Sequence, residues 1–375
     1  MRPLSRNGAP RITPPGDALH EALAEIEATA AARDENPAFP SEAFARLAAA
    51  KALSLPAPEP ASGTGRCASF AEEWQTLRSV ARADGSVGRI YDGHLNGVER
   101  VSAAAPEPLR SRELAAIAAG ELLIGVWGAD PVPGEGEPAR LSEDGTAVEG
   151  VKTFCSGAGG VERALVLVRG ANGEPGPPNL AYVDLTTGRY EVDRGWYKSA
   201  GMRASESHRI IFDGTPVLAV LGEPGEISRE PYFGRDAVRT AVSWAGIADR
   251  AVDSALATLA AKSGENPDDL VSLAAGRMLA AQGTMDRWIE HAARTADEDP
   301  EAPFAALSIR LRSAVADSCR EILDEAARAT GSRPFAVADP LDRARRDLEV
   351  FLLQHRLEPL LAREGRRAIL EAGER

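Results

Sequence analysis

Residues 150–168 read GVKTFCSGAGGVERALVLV and decide the fold class of this chain. Two short runs of β-branched and apolar residues, 148–154 and 164–168, flank a glycine-rich turn, which is typical of short strands in one sheet. Similar runs lie on both sides, at residues 122–127, 180–185 and 209–212. Dipeptides that favour turns separate the runs: Asp144-Gly145, Asn172-Gly173, Gly176-Pro177 and Asp213-Gly214. Short strands at this spacing, without long helices between them, predict an antiparallel sandwich or barrel.

Apolar residues at helical spacing precede and follow this β-rich region. Before it, Ser41 is a candidate N-cap for one helix, and Phe70 and Trp74 belong to the apolar face of another. After it, long helices are predicted from about residue 234, the last at about 341–362 with a bend at Pro359.

This pattern predicts an α+β protein with three domains. They are an N-terminal helical domain, a middle antiparallel β-domain and a C-terminal helical bundle, at residues 1–120, 121–220 and 221–375. Residues 1–16 and 56–66, which are rich in proline and glycine, are predicted to be an arm and a loop.

The composition is that of a globular, acidic protein. The 375 residues include 43 Lys and Arg against 56 Asp and Glu, which gives a formal net charge of −13, and 44% of them are apolar. The apolar fraction excludes bulk disorder. The acidic balance argues against a protein that wraps nucleic acid, because that function needs clustered Lys and Arg, but it is compatible with a local basic pocket for a phosphorylated ligand.

The cysteines and the N-terminus predict a soluble, cytoplasmic protein. Cys67, Cys155 and Cys319 form no CxxC pair, which fits a reducing compartment and gives no support to a zinc ribbon or a thioredoxin-like site. Residues 1–15 lack the apolar stretch of a signal peptide. The most apolar segment, 114–127, is too short to span a bilayer, so we expect no membrane partner.

The residues alone identify no catalytic motif. The five histidines, at positions 20, 94, 208, 291 and 355, show no metal-ligand spacing, so each is interpreted as a surface or core residue and no metal site is predicted. The sequence contains no GxSxG elbow, no GxxxxGK[ST] phosphate loop and no GxGxxG after a strand.

Four segments resemble the acyl-CoA dehydrogenase superfamily. Residues 150–168 resemble its G-x-K-x-[FW]-[IC]-[ST]-x-G segment, and residues 195–217 (GWYKSAGMRASESHRIIFDGTPV) resemble its G-[MW]-R-x-S-x-[ST] segment. Residues 126–131 (VWGADP) are similar to the family's Thr-Glu-Pro strand end, and residues 340–347 (PLDRARRD) to its P-[VL]-x-R-x-x-RD segment. The four segments occur in the family's order, and the resemblance covers roughly residues 70–360.

The resemblance implies an architecture and a cofactor. A helical N-terminal domain, a β-barrel-like middle domain and a C-terminal four-helix bundle would enclose FAD between the β-domain and the bundle. The bundle would assemble the chain into a homodimer or homotetramer, because FAD sites of the family form across subunits.

The resemblance also implies the flavin contacts. Trp127, Gly128 and Ala129 match a strand end whose backbone faces the pyrimidine side of the flavin ring. Phe154 matches an aromatic that packs on the ring, and Ser156 matches a hydroxyl residue whose donors reach it near N5. Fixed donors there would stabilise the negative charge of a reduced flavin. The alternative is that Trp127 and Phe154 are simply core residues of the β-domain.

The resemblance gives one candidate for a catalytic base. Most of the family carry a glutamate shortly after the RD pair, at a position that falls near Gln354 or His355 here. A minority carry it ten residues before a small residue of an A-x-G-x-A pattern, and counting back ten from Gly246 reaches Asp236. The alternative is that Asp236 is a first-turn residue favoured by the helix dipole.

Two segments depart from the family pattern. Residues 262–269 read KSGENPDD in place of the Arg-x-x-Phe-Gly segment that grips the FAD pyrophosphate across a subunit interface. The sequence VPGEGEP replaces the family's Gly-Ser run after Thr-Glu-Pro. These departures bear on flavin binding and on thioester recognition.

Three functions are compatible with these observations. The leading hypothesis is a FAD-dependent oxidoreductase that dehydrogenates the α,β bond of an acyl thioester of CoA or a carrier protein, with Asp236 as base and an unidentified electron acceptor. The second is a monooxygenase that uses reduced flavin and O₂, with His355 or Gln354 at the flavin. The third is a non-catalytic member of the superfamily.

Overall fold

The N-terminal part of the chain is helical, as predicted. The computed structural model describes residues 16–58, 65–170, 176–354 and 356–373. Residues 1–15 of the predicted arm, 59–64 of the predicted loop, the Asn172-Gly173 turn and His355 lie outside the described residues. The first helices are α1 (Asp17–Glu35), α2 (Ser41–Ala49), α3 (Phe70–Ala83), α4 (Gly85–Ala104) and α5 (Leu109–Ala119).

Two helix starts show how local sequence sets these elements. Helix α3 begins with a capping box, in which the Ser69 hydroxyl accepts from the Glu72 N–H and the Glu72 carboxylate accepts from the Ser69 N–H. Helix α2 begins differently from the prediction. Ser41 is its first residue and makes no cap hydrogen bond, because Pro40 occupies the position before it.

The middle of the chain forms a mixed sheet. Its strands are β1 (Ile124–Trp127), β2 (Arg140–Leu141), β3 (Ala147–Cys155), β4 (Arg163–Val168), β5 (Asn179–Asp184), β6 (Tyr190–Asp193) and β7 (His208–Leu221). They are ordered β1-β4-β5-β7-β3-β2, and β6 pairs with β7. The prediction of a wholly antiparallel domain was wrong in one respect. Strand β1 follows α5 directly and pairs with β4, which comes later in the chain. Because no hairpin joins the two strands, they can run parallel, as they do here.

Isolated bridges draw the ends of this sheet together. Ala129, just after β1, bridges Thr153 of β3, and Arg140 of β2 bridges Arg169 just after β4. The sheet therefore curls toward the barrel that the sequence predicted.

Long helices form the C-terminal part. They are α6 (Tyr232–Ser263), α7 (Asp269–Glu298), α8 (Ala305–Thr330), the short α9 (Arg333–Ala336), α10 (Pro340–Phe351) and α11 (Glu358–Gly373). The single bent helix predicted at 341–362 is two helices. Helix α10 ends at Phe351, well before Pro359, and α11 begins only at Glu358.

The helical layers pack closely on each other. Helix α6 contacts α3, α4, α8 and α10. A Cβ atom at Gly246 of α6 would lie 2.2 Å from the Arg78 carbonyl oxygen of α3, so only glycine permits this approach. Within the described residues, no helix is both long and apolar enough to cross a membrane.

The changes in secondary structure lie near the predicted domain boundaries. Helical structure gives way to strands between Ala119 and Ile124, and returns between Leu221 and Tyr232. The division into domains at residues 120 and 220 stays a prediction.

Candidate active site

Phe154 presents its ring at the surface of the β-domain. The register of β3 against β7 shifts between Lys152 and Cys155, and at this bulge Phe154 adopts a left-handed backbone with φ of 53°. Its side chain is 56% exposed, and its ring meets Trp196 edge-on with 4.8 Å between the centroids. A large apolar ring held outward by an unfavourable backbone is typical of a functional site.

The three residues at the end of β1 lie against β3. The Trp127 indole N–H donates to the Ser156 carbonyl at 3.0 Å, and the indole is fully buried. Lys152 Nζ donates to the Gly128 carbonyl at 3.2 Å, and Ala129 bridges β3. Thus the Trp127 side chain lies in the core, whereas the backbone of the next two residues lies beside the segment that carries Phe154.

A chain of three serine hydroxyl groups determines whether the Ser156 hydroxyl donates or accepts its hydrogen bond. The single hydrogen of Ser205 Oγ goes to the Met202 carbonyl at 2.7 Å, so Ser207 must donate to Ser205 across their 2.8 Å contact. Ser207 is then the acceptor at 2.9 Å from Ser156 Oγ, and Ser156 donates. The Ser156 N–H donates to the Phe154 carbonyl at 3.0 Å. Both donors of Ser156 are therefore used within the protein, and its hydroxyl oxygen retains acceptor capacity.

The loop that holds this chain is docked on α10. The Asp347 carboxylate accepts from the Met202 N–H, and a Cβ atom at Gly201 would lie 1.9 Å from the Arg346 carbonyl. Burial raises the pKa of Asp347 to about 7, and the Met202 N–H counteracts that rise. The RD pair thus positions the loop before β7.

Asp236, the candidate base, lies in a different polar cluster, between α4 and α6. Its carboxylate accepts from Arg100 at 2.6 Å and lies 3.5 Å from Arg239. Burial raises the pKa of Asp236, and the two guanidinium groups counteract that rise. Within the described part of the chain, its side-chain contacts are these ion pairs, and none reaches Phe154 or Ser156.

The same cluster extends into the interior. Arg239 is fully buried and pairs with Glu73 at 2.5 Å and with Glu99 at 2.8 Å, and Arg235 lies 3.1 Å from Glu99. Burial opposes the charge of Glu99, but these arginines lower its pKa to about 2. Asp236 therefore belongs to a network of buried ion pairs between α3, α4 and α6.

The structure adds residues that sequence reasoning missed. Ser205, Ser207 and Trp196 surround the predicted flavin contacts, although all three lie in the segment 195–217 that carried the family resemblance. Gln354 is exposed just beyond α10. Among the described residues, no three His, Cys, Asp or Glu side chains are grouped to hold a metal ion.

Comparison with known proteins identifies the fold. The sequence model of the acyl-CoA dehydrogenase N-terminal domain matches residues 18–121. No curated protein matches the chain in sequence. Butyryl-CoA dehydrogenase from Megasphaera elsdenii superposes with a TM-score of 0.80 at 17% identity, over 94% of this chain and 98% of that one. Residues 18–121 therefore match the N-terminal domain of acyl-CoA dehydrogenases, and the chain has the acyl-CoA dehydrogenase fold. The resemblance stated from the sequence is thereby confirmed.

Other members of this fold have been solved with ligands. FMN-bound TdsC from Paenibacillus sp. A11-2, a dibenzothiophene monooxygenase, has a TM-score of 0.80 at 20% identity, over 92% of this chain and 94% of that one. KijD3 in complex with FMN and a dTDP-linked amino-keto sugar has a TM-score of 0.79 at 22% identity, over 94% of both chains. These identities show a shared fold, so the reaction of this chain has to be argued from its own site.

Proposed function

We propose that this chain is a monooxygenase that uses reduced flavin and O₂. The observation that carries the proposal is the ion pair between Asp236 and Arg100. A dehydrogenase of this superfamily needs a carboxylate that can approach the α-proton of a thioester. Here Asp236 is held by a guanidinium at 2.6 Å, and the other family position corresponds to Gln354 or His355.

The cost of freeing Asp236 argues against its acting as a base. Arg100 is almost fully buried, and moving the carboxylate away would leave its charge without that partner. The aspartate is also one methylene shorter than the glutamate expected there. We therefore assign Asp236 to holding α4 against α6.

The hydroxyl chain supports reduced flavin as the bound form. A reduced flavin carries a hydrogen on N5, whereas an oxidised flavin presents a lone pair there. Ser156 gives its own hydrogen to Ser207, so its oxygen suits an N–H donor. A dehydrogenase that binds oxidised flavin would instead need a hydroxyl that donates its hydrogen to the flavin N5.

The residues around Phe154 fit a flavin ring. The exposed Phe154 ring and Trp196 offer an aromatic wall, and the backbone of Gly128 and Ala129 lies next to it on the β1 side. The missing FAD-gripping segment, whose positions form the end of α6 and the loop before α7, favours FMN over the FAD that the resemblance implies.

A bound reduced flavin would supply the two electrons for the reduction of O₂, with one oxygen atom entering the substrate and the other leaving as water. The protein's part is to present the aromatic wall and to accept a hydrogen bond at Ser156. The fold shared with the dibenzothiophene monooxygenase TdsC is compatible with this reaction.

The test compares flavin binding and oxygen transfer. Oxidised and photoreduced FMN and FAD are titrated anaerobically, and we expect the reduced form to bind more tightly. The Phe154→Ala variant should weaken binding at least tenfold, whereas Val132→Ala, which shortens another exposed apolar side chain of the β-domain, should not. With reduced flavin and ¹⁸O₂, labelled product is expected from aromatic heterocycles such as indole.

Two results would overturn the proposal. One is tighter binding of the oxidised flavin, with bleaching of the bound cofactor by acyl-CoA. The other is the absence of labelled product across a panel of heterocycles and thioesters. The first result would restore the second candidate, acyl thioester dehydrogenation, which the match of residues 18–121 favours. A protein that binds no flavin would be a non-catalytic member.

A further inference from the structure

An arginine lies inside the C-terminal bundle without an ion pair. Arg312 of α8 is 4% exposed, and among the described residues no carboxylate pairs with it. Its Nε and Nη2 atoms are buried and have no hydrogen-bond partner there. Burial lowers the pKa of Arg312 to about 10, which leaves the guanidinium charged at neutral pH. Water satisfies hydrogen bonds but does not neutralise a buried charge, so an anion is the expected partner.

The unpaired edge of this guanidinium has the geometry of a carboxylate site. The Nε–H bond and one Nη2–H bond lie on the same side of the planar group and point in the same direction. A carboxylate accepts from both bonds at once through its two oxygens, and such bidentate pairs are among the strong ones in proteins. One uncompensated positive charge also matches a group that carries one negative charge.

Two further unpaired polar groups lie on the neighbouring helix α6. The Arg312 Cζ atom lies 5.6 Å from the centre of the Trp244 ring. The Trp244 indole N–H and the Ser243 hydroxyl are buried, and neither has a hydrogen-bond partner within the described chain. Thr240 lies one turn earlier on the same face of α6, and its hydroxyl donates to the Asp92 carboxylate at 3.4 Å. This face of α6 therefore offers hydrogen-bond donors that the protein itself does not use.

The acidic group nearby is already paired. The charge of Asp92 on α4 acts on Arg312, but its carboxylate accepts from Arg89 at 3.1 Å. Arg89 and Asp92 neutralise each other, so the positive charge of Arg312 is in excess. Phe351, at the end of α10, lies with its ring 6.1 Å from the Trp244 ring and 5.5 Å from the Arg89 Cζ atom. These aromatic surroundings suit an organic acid better than an inorganic anion.

Helix α4 is shared by this site and the strand that ends at the proposed flavin contacts. Asp92 faces α6, and a Cβ atom at the next residue, Gly93, would lie 4.0 Å from the backbone nitrogen of Val126. Val126 belongs to β1, which leads into Gly128 and Ala129. The Arg312 site and the proposed flavin contacts therefore lie on neighbouring sides of one helix.

We propose that Arg312 binds the carboxylate of a small organic acid, that Ser243 and Trp244 complete its hydrogen bonds, and that this acid is the substrate at the flavin. Binding at Arg312 stands independently of the oxygenase reaction, whereas the role of the acid as substrate rests on the proposed function. The preferred substrate is then an acid rather than a neutral heterocycle.

Calorimetric titration of the full chain at neutral pH, with and without FMN, tests the binding. The probes are acetate, hexanoate, benzoate and indole-3-carboxylate, each compared with its amide, which has a similar shape and no charge. We expect at least one acid to bind at least tenfold more tightly than its amide.

Three variants locate the binding. Arg312→Met should lose at least tenfold in affinity for the acid and keep the weak affinity for the amide. Arg312→Lys keeps the charge but not the two parallel N–H bonds, so it should fall between Arg312→Met and the unaltered protein. Arg320→Met, which removes an exposed arginine of the same helix that pairs with Asp317, should bind as the unaltered protein does. Because Arg312 has no ion pair to lose, Arg312→Met should unfold at a urea concentration no lower than the unaltered protein.

The outcomes separate this inference from the proposed function. Labelled product from the acid with reduced flavin and ¹⁸O₂, at a kcat/KM at least tenfold lower in Arg312→Met, supports both. Acid binding that depends on Arg312, with label only in neutral heterocycles or in no product, retains the site and overturns the role of the acid as substrate. The site itself is overturned if no acid binds more tightly than its amide, or if Arg312→Met, checked as folded by circular dichroism, binds the acid as tightly as the unaltered protein.

Discussion

At the scale of single residues, Asp347 shows how burial sets the charge of one side chain. It is 3% exposed, and the carboxylate packs so close to α4 that a Cβ atom at Gly85 would lie 2.8 Å from it. Its pKa of about 7 in the folded chain compares with about 3.9 for an aspartate in an unfolded one. The folded state therefore holds the proton more tightly than the unfolded state does.

This difference predicts a pH dependence of stability. The contribution of Asp347 is complete below about pH 4 and is lost as the pH rises through about 7, because the unfolded chain gives up the proton first. Asparagine at position 347 cannot ionise, so the Asp347→Asn variant does not lose this contribution. Its free energy of unfolding minus that of the unaltered protein should therefore rise by about 1.4 kcal/mol per pH unit between about pH 4 and 7. Urea unfolding at pH 5, 6, 7 and 8 measures this, and parallel curves for the two proteins would contradict it.

At the scale of elements, the contact between α3 and α6 depends on a missing side chain. Gly246 lies where a Cβ atom would meet the Arg78 carbonyl at 2.2 Å and the Ala81 methyl at 2.9 Å. Both neighbours belong to α3, and the Arg78 carbonyl is part of its backbone, so neither can withdraw without moving that helix. The two helices approach each other at this glycine.

Replacing this glycine should separate the helices. Gly246→Ala is expected to lower the free energy of unfolding by about 1–3 kcal/mol, as overpacking does. Gly283→Ala is the matched control, because Gly283 lies within α7 with open space where its Cβ would stand, and it should stabilise by about 0.5–1 kcal/mol. Thermal unfolding of the two variants compares them, and shifts of the same sign would refute the packing argument.

The sequence predicts elements where periodicity is strong and misses those set by contacts. The start of the long C-terminal helices near residue 234 and the runs of β3, β4 and β5 were predicted close to their observed positions. Strands β2 and β6 were missed, because they are short and exist by pairing with β3 and β7. The sequence predicted a bend at Pro359, whereas α10 ends earlier, at Phe351.

The candidate site was only partly predictable for the same reason. The motif resemblance placed Phe154 and Ser156 in one segment, and the structure keeps them beside Trp127. Which partner receives the hydrogen of Ser156 depends on Ser205 and Ser207, which follow fifty residues later in the chain. The ion pair of Asp236 with Arg100 likewise joins helices that are distant in sequence. No local pattern encodes either contact.

At the scale of the whole molecule, Arg78 ties the N-terminal helices to the C-terminal bundle. From α3 it bonds Asp249 of α6 with two nitrogens, at 2.7 and 2.9 Å, and Asp286 of α7 at 2.7 Å. Burial alone would lower the pKa of Arg78, but the two aspartates raise it above its usual value. One side chain therefore links three long helices.

Removing this link should cost more than removing an exposed one. Arg78→Met leaves the largely buried Asp249 with Gln282 as its one side-chain partner among the described residues, and we expect a loss of about 3–5 kcal/mol in the free energy of unfolding. Arg287→Met removes an arginine of an exposed pair with Glu290 on α7, and should change stability by less than about 1 kcal/mol. Urea unfolding measures both free energies. Equal losses would show that the Arg78 ion pairs stabilise the fold no more than the exposed pair of Arg287 with Glu290 does.

The left-handed backbone and the exposed ring of Phe154 both cost free energy in the absence of a ligand. A phenylalanine in the left-handed region is disfavoured by about 1–2 kcal/mol relative to a residue that adopts it freely, and exposing its ring to water adds to that penalty. Glycine would relieve the first cost and asparagine would reduce both. A planar ligand stacked on Phe154, as in the proposed function, would cover the aromatic face and so remove part of the second cost.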